Sequence, residues 1–257
     1  IQPESIEQKI KKNTRLISIM YVNNELGTIN PIKKIAELSK ERGILFHSDA
    51  VQALGKIPVD TEDIPVDFLS MSSHKLYGPK GVGALYKREG SIIEPLIYGG
   101  GQESNLRGST ENIAGIGGFG MAAEIATMEI EENSEHIMRL ETHFINQLNE
   151  KEIPYQINGS QRVPGVFNIT FPALDGKNLV LQLDLAGIGI SYGAACASGT
   201  MKTSSMLIDL GLREEEALST VRISFGKIHT LENIQIVTST IGSIFNQNLS
   251  REMVHAG

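Results

Sequence analysis

Two residues in this sequence have the type and setting for covalent chemistry. Lys75 stands in SSHK, after the apolar run 68–71 and before a Gly-Pro turn, where a backbone can hold a side chain at the carboxyl edge of a parallel sheet. An amine there serves as a Schiff-base nucleophile when its surroundings lower its pKa; otherwise it is an exposed loop lysine. Asp49 closes another apolar run, ILFHS, and a carboxylate at such an edge either pairs with a cationic heterocycle nitrogen or merely caps a helix. Together the two are what pyridoxal phosphate asks of a protein: an amine for its aldehyde, and an anion that keeps the ring nitrogen protonated so that the ring drains electrons. Ser72, His74 and the Gly-rich turn after them offer neutral and cationic donors to a phosphate.

Cys196 is the only cysteine, set in SYGAACASGT between an apolar run and a helix start at Ser204 or Ser205, which reads as a loop. A lone cysteine is commonly a small buried hydrophobe, but these neighbours offer little bulk to bury it, so a reactive, accessible thiol stands equally open. It excludes an internal disulfide and favours a reducing compartment, with the cytoplasm as the default. Arg222 interrupts the apolar strand TVRISFG and needs a carboxylate partner or a path to water; a substrate carboxylate gripped at two points would suit it. The six histidines show no metal-ligand spacing, so no metal site is expected, and the P-loop, dinucleotide and GxSxG patterns do not occur.

The elements that must position these residues follow from the rest of the pattern. With 257 residues, 40% apolar and 21% charged, the composition is that of a soluble globular protein of one large or two small domains. A net charge of −7 without a basic block argues against nucleic acid as the main ligand, and no segment reads as a membrane span or a secretory signal. Residues 16–50 have βαβ grammar: a strand, a helix with Asn30 as N-cap, Pro31 in first position, a face of Ile32, Ile35, Ala36 and Leu38, and Gly43 as the residue after the C-cap, then a second strand. The runs 68–71 and 83–86 are expected as two buried strands joined by the Lys75 loop. Residues 113–149 read as one long helix, or two joined near Asn133, crossing between subdomains. Beyond Pro154 strands are expected at 166–171, 187–191 and 221–225, with helices at 177–185, 204–210 and 231–246, an α+β lobe.

Six motifs, YVNNELGTINPI, FHSDAVQALGK, SMSSHKLYGPKGVGALY, GGGQESNLRGSTENI, SYGAACASGT and VRISFG, come in an order and spacing that resemble the cysteine desulfurases of the NifS/IscS type. These belong to the fold-type I pyridoxal-phosphate enzymes of the class V aminotransferase superfamily, and the resemblance covers nearly the whole chain. It implies an α/β fold: part of a large, mostly parallel-sheet cofactor domain over 1–125, then a connecting long helix and a small C-terminal α+β domain over 126–257 carrying the Cys196 loop. By the same resemblance Lys75 forms the Schiff base, Asp49 pairs with the pyridine nitrogen, Gln52 bonds the phenolic oxygen, and Ser72 and His74 bind the phosphate. Thr110 would reach across from the second subunit of a homodimer, and Asn24 and Arg222 would hold the substrate carboxylate.

The implied reaction converts L-cysteine to L-alanine and leaves a persulfide on Cys196 for an acceptor protein, a scaffold for Fe-S cluster assembly or a tRNA-thiolation enzyme. No direct nucleic-acid or membrane partner is implied. The stretch from Cys196 to Leu210 resembles the longer-loop class of the family. The family's upstream segment, on the order of a hundred residues, brings further sheet strands, phosphate contacts and a histidine that stacks on the ring. This sequence does not contain it, so the large domain is expected to be incomplete, the chain a piece of a longer desulfurase, and its activity alone an open question. Tyr192 and Ala194 stand where the family usually has serines. A selenocysteine lyase or a class V aminotransferase would keep Lys75, Asp49 and Arg222 without depending on Cys196, and a non-catalytic chain could retain the fold.

Overall fold

A computed structural model describes residues 1–193 and 204–255, and the chain divides into two compact units. The first holds Ile1–Val22 and Ile29–Ile130; the second holds Asn23–Thr28 and the chain from Glu131 onward.

The first unit runs α1 (Pro3–Glu7), β1 (Leu16–Met20), α2 (Ile32–Glu41), β2 (Leu45–Asp49), β3 (Phe68–Ser72), β4 (Gly83–Lys87), a short helical turn α3 (Gln102–Asn105) and α4 (Ile113–Met128). Its sheet has the order β1-β2-β3-β4, with β1, β2 and β3 parallel and β4 antiparallel to β3. The expected βαβ unit is β1-α2-β2. Its helix stops as read: Gly43 is left-handed at φ 64°, its N–H donates to the Lys40 carbonyl and that of Ile44 to Ser39, which satisfies carbonyls the helix end would orphan. The start differs. Asn30 does not cap the helix, because its amide donates 2.7 Å to the Met20 carbonyl at the end of β1, and α2 begins at Ile32 behind Pro31. The buried face is Ile32, Ile35, Ala36 and Ser39, with Leu38 only half-buried; the Ser39 hydroxyl can go inside because it donates to the Ile35 carbonyl.

Strand β4 departs from the expectation of a buried strand: Gly83, Ala84 and Leu85 are exposed, since β4 is the edge of the described sheet and pairs with β3 alone. Behind the Lys75 turn, α4 packs Phe119 and Ala126 against Leu76, with Leu54 and Met71 alongside.

The second unit runs α5 (Ile130–Glu150), β5 (Gln156–Asn158), β6 (Val166–Thr170), α6 (Gly176–Leu185), α7 (Ser205–Asp209), α8 (Glu214–Leu218), β7 (Thr220–Ser224) and α9 (Leu231–His255). The segment read as 113–149 is therefore two helices, broken at Glu129 rather than near Asn133. Strands β5, β6 and β7 form an antiparallel sheet. One face carries Phe167, Ile169, Val221 and Ile223 into a core with Leu140, Phe144 and Leu148 of α5, Leu179 and Leu183 of α6, and Ile234 and Ile241 of α9. Each fully buried side chain of this kind contributes about 1.5–3 kcal/mol, and Phe144, Phe167 and Phe225 meet with ring centroids 5.5–5.8 Å apart.

The opposite face of this sheet is polar yet buried. Asn158 donates to Asn168 and Thr170, and Thr170 bonds Thr220, so the amides and hydroxyls satisfy one another. Residues 187–191 do not form the expected strand; only Ser191 bridges to Arg222. Among the described residues no single helix is long and apolar enough to cross a membrane.

Candidate active site

In the first unit the parallel strands β2 and β3 deliver the candidate groups at their carboxyl ends. Asp49 is the last residue of β2 and the register partner of Ser70 in β3. Its backbone is held on both sides, the carbonyl accepting from Tyr21 N–H, while the next amide, Ala50 N–H, donates to the Ser70 carbonyl. Its Oδ1 accepts from Val51 N–H at 2.9 Å, which starts the following turn and leaves Oδ2 without a hydrogen bond among the described residues. From Ala50 the chain makes a helical turn, Leu54 N–H donating to the Ala50 carbonyl, and this turn carries Gln52, three residues after Asp49.

Strand β3 ends at Ser72 and passes into a 3-10 turn, Ser73–Leu76, that holds Lys75. Ser73 N–H donates to the Val82 carbonyl and Gly78 N–H to that of Ser73, closing the loop, while Leu76 is buried and Lys75 points out. The Ser72 hydroxyl lies 2.8 Å from His74 Nδ1, so the two proposed phosphate donors are neighbours. Thr110 lines a cleft of about 360 Å³ with Arg107, Ser109, Asn112 and Gly83, the register partner of Ser72; no hydrogen bond among the described residues ties it to Ser72, His74 or Lys75.

Two residues of this unit escaped the sequence reading. His47, on the same sheet face as Asp49, bridges three strands, its Nδ1 2.7 Å from Ser18 Oγ and its Nε2 2.8 Å from Ser70 Oγ. Burial lowers its pKa, outweighing the opposite pull of Asp49, so at neutral pH it is an uncharged link between two hydroxyls. The other is Lys56, whose ammonium donates 2.5 Å to Gln52 Oε1. The FHSDAVQALGK motif contained both, but only their cross-strand and i,i+4 partners give them meaning.

In the second unit Arg222 lies on the polar face of the sheet, opposite Asn168. Its Nη1 donates 2.9 Å to the Asn24 carbonyl and its Nη2 lies 3.3 Å from Ser191 Oγ. The strap Asn23–Thr28 covers that face: Gly27 sits against Val166, Thr28 bridges to Arg162, and the Asn23 side chain caps Glu25 and Leu26 N–H. Asn24 and Arg222, both assigned to a carboxylate, are thus brought together. Tyr192 is half-buried, its ring beneath the Lys177 ammonium at 5.7 Å and against the core, which explains how an aromatic is accommodated where a serine was expected. Cys196 and Ala194 lie outside the described residues.

The donor set in the first unit fits pyridoxal phosphate. Asp49 Oδ2 can accept from a protonated ring nitrogen, Gln52 Nε2 can donate to a phenolic oxygen, Lys75 Nζ can bond an aldehyde carbon, and none of these three atoms has a hydrogen bond within the described residues.

Comparison with known proteins agrees on the family. A family model described as aminotransferase class-V matches residues 1–237. The chain is 41% identical over 249 residues to the cysteine desulfurase IscS of Dictyoglomus turgidum, covering 96% of this chain and 63% of that protein. It is 44% identical over 257 residues to the IscS of Clostridium botulinum strain Hall, covering 98% and 64%. A solved structure titled NifS-like protein superimposes with a TM-score of 0.87 at 35% identity, over 96% of this chain and 65% of that one. The chain thus spans somewhat less than two thirds of the length of these relatives.

Proposed function

Because the chain belongs to the class-V aminotransferase family of pyridoxal-phosphate enzymes, we propose that it is the part of a cysteine desulfurase that carries the Schiff-base lysine, the ring-nitrogen carboxylate and the sulfur-accepting thiol. The observation that carries this is the pair of adjacent parallel strand ends, β2 presenting Asp49 and Gln52 and β3 presenting Lys75, each with a polar atom left unspent. The relatives named IscS supply the reaction class.

Bound pyridoxal phosphate would supply an electron sink for the substrate's Cα and for the charge left when its C–S bond breaks. Asp49 would hold the ring nitrogen's proton through Oδ2, and Ser72 and His74 would bind the phosphate as hydrogen-bond donors. Lys75 would hold the cofactor through its amine, and that amine is the group that would move the proton at the substrate Cα. Arg222 and Asn24 bind and orient the L-cysteine carboxylate. The Cys196 thiolate attacks the substrate sulfur: an S–S bond forms, the C–S bond breaks, and the products are L-alanine and a Cys196 persulfide, with no oxidant consumed. An acceptor protein, an Fe-S scaffold or a tRNA-thiolation enzyme, takes the terminal sulfur. We assign the enzyme to a homodimer in which Thr110 serves the partner's phosphate, and to the cytoplasm.

Alanine and persulfide formation from L-cysteine by the full-length protein tests this. Lys75→Ala should abolish both products and the cofactor's visible absorbance, and Cys196→Ala should abolish desulfuration while leaving the absorbance intact. Desulfuration that survives Cys196→Ala, or lyase action on selenocysteine that does, would move the assignment to a selenocysteine lyase or an aminotransferase.

A further inference from the structure

Gln52 is ambiguous by its own chemistry. A terminal amide can turn either its carbonyl oxygen or its NH₂ toward a ligand, and the two ends have nearly the same shape. Only the NH₂ end suits a phenolic oxygen that must carry negative charge; the carbonyl end would repel it.

Lys56 removes the choice. Its ammonium lies one helical turn beyond Gln52, donates 2.5 Å to Oε1, and has three donors and no acceptor, so the Gln52 atom facing it must be the carbonyl oxygen. Nε2 is then turned the other way, with no hydrogen bond among the described residues. Gly55, between the two residues, leaves no room for a side chain on that turn: an added Cβ would come within 2.8 Å of Leu76 and 3.0 Å of Ala126. An ordinary exposed i,i+4 pair would be a minor stabiliser of a helix surface; here one partner is three residues from Asp49, in the turn that leaves the carboxyl end of β2.

We propose that Lys56 is a positioning residue that, by holding the Gln52 carbonyl, fixes the Gln52 amide as a hydrogen-bond donor to the cofactor's phenolic oxygen. This rests on the cofactor assignment above. A donor at that oxygen favours its anion, so the proton shared with the cofactor leaves at lower pH than it would without the donor.

The test uses the full-length protein loaded with pyridoxal phosphate and follows its visible absorbance against pH. Lys56→Met should raise the midpoint of the spectral change by about one pH unit, and Lys56→Arg, which keeps a donor-only head, should restore most of it. In a Gln52→Ala background Lys56→Met should shift nothing further, because the effect passes through Gln52. An unchanged midpoint in Lys56→Met, or the same shift with Gln52 already removed, overturns the proposal. If Lys56→Met fails to fold by circular dichroism, Lys56→Gln, whose amide can face Gln52 with either end, must move the midpoint upward by a smaller amount, and no movement there overturns it too. Absence of any Lys75-dependent absorbance in the unsubstituted protein would overturn the cofactor assignment itself, a different result from an intact band that ignores Lys56.

Discussion

Gly55 and Leu76 leave no room between them: a Cβ on Gly55 would stand 2.8 Å from Leu76 Cδ2 and 3.0 Å from the Ala126 Cβ. Gly55 belongs to the turn that follows Asp49 and Gln52, and Leu76 to the turn that holds Lys75, so a side chain at position 55 would push these two turns apart. Gly55 is also left-handed, at φ 73°. Gly55→Ala should therefore destabilise the first unit by about 1–3 kcal/mol and loosen cofactor retention. A denaturant titration and the pyridoxal phosphate remaining after dialysis would check both.

Asp49→Asn separates structure from charge at the same position. The amide can still accept from Val51 N–H through its oxygen, so the turn should form, but it no longer offers an anion to the ring nitrogen. The cofactor should remain attached through Lys75 while kcat for alanine formation falls about 100-fold or more. Comparing the absorbance spectrum with single-turnover rates would show it.

Arg222→Lys keeps a positive charge and loses the fork that reaches Asn24 and Ser191 together. KM for L-cysteine should rise about 10- to 100-fold, more than kcat falls. An equal loss of stability in Arg222→Lys and in Arg222→Ala with an unchanged KM would assign the residue to the strap alone.

A second pH effect belongs to the second unit. Burial pushes the Glu141 carboxyl above its ordinary value of 4.5, overriding the pull of Gly165 N–H and of Arg162, which lies 3.5 Å away. The folded state then holds this proton more tightly than the unfolded chain, so the stabilisation is present at low pH and lost as pH rises through the folded value. Glu141→Gln should remove that downward slope just above pH 4.5 from a plot of denaturant midpoint against pH.

Sequence patterns disclosed the parts of the fold that depend on local chemistry. The α2 stop at Gly43 needs only a residue tolerant of positive φ, and β2 and β3 need only short apolar runs. Asn30 looked like a helix cap because nothing local reveals that a strand carbonyl ten residues upstream takes its amide first. The break at Glu129 has no glycine or proline to mark it. Residues 187–191 had the apolar content of a strand, but Ser191 alone meets β7. The placement of Asp49 at the end of β2 and of Lys75 in the turn after β3 was legible because strand ends have a sequence signature. The Ser18–His47–Ser70 bridge and the Lys56–Gln52 bond were not, since each depends on pairing that residue types do not encode one at a time.

The excursion of Asn23–Thr28 into the second unit before the chain returns at Ile29 means that no single peptide cleavage can release either unit whole. An excised 131–257 would lack its own cover over Val166 and Arg222, and refolding it should require those six residues to be added back as a peptide in trans. Ribosomal synthesis imposes the same order: the early hexapeptide must wait, unassembled, until the late strands β6 and β7 emerge to receive it.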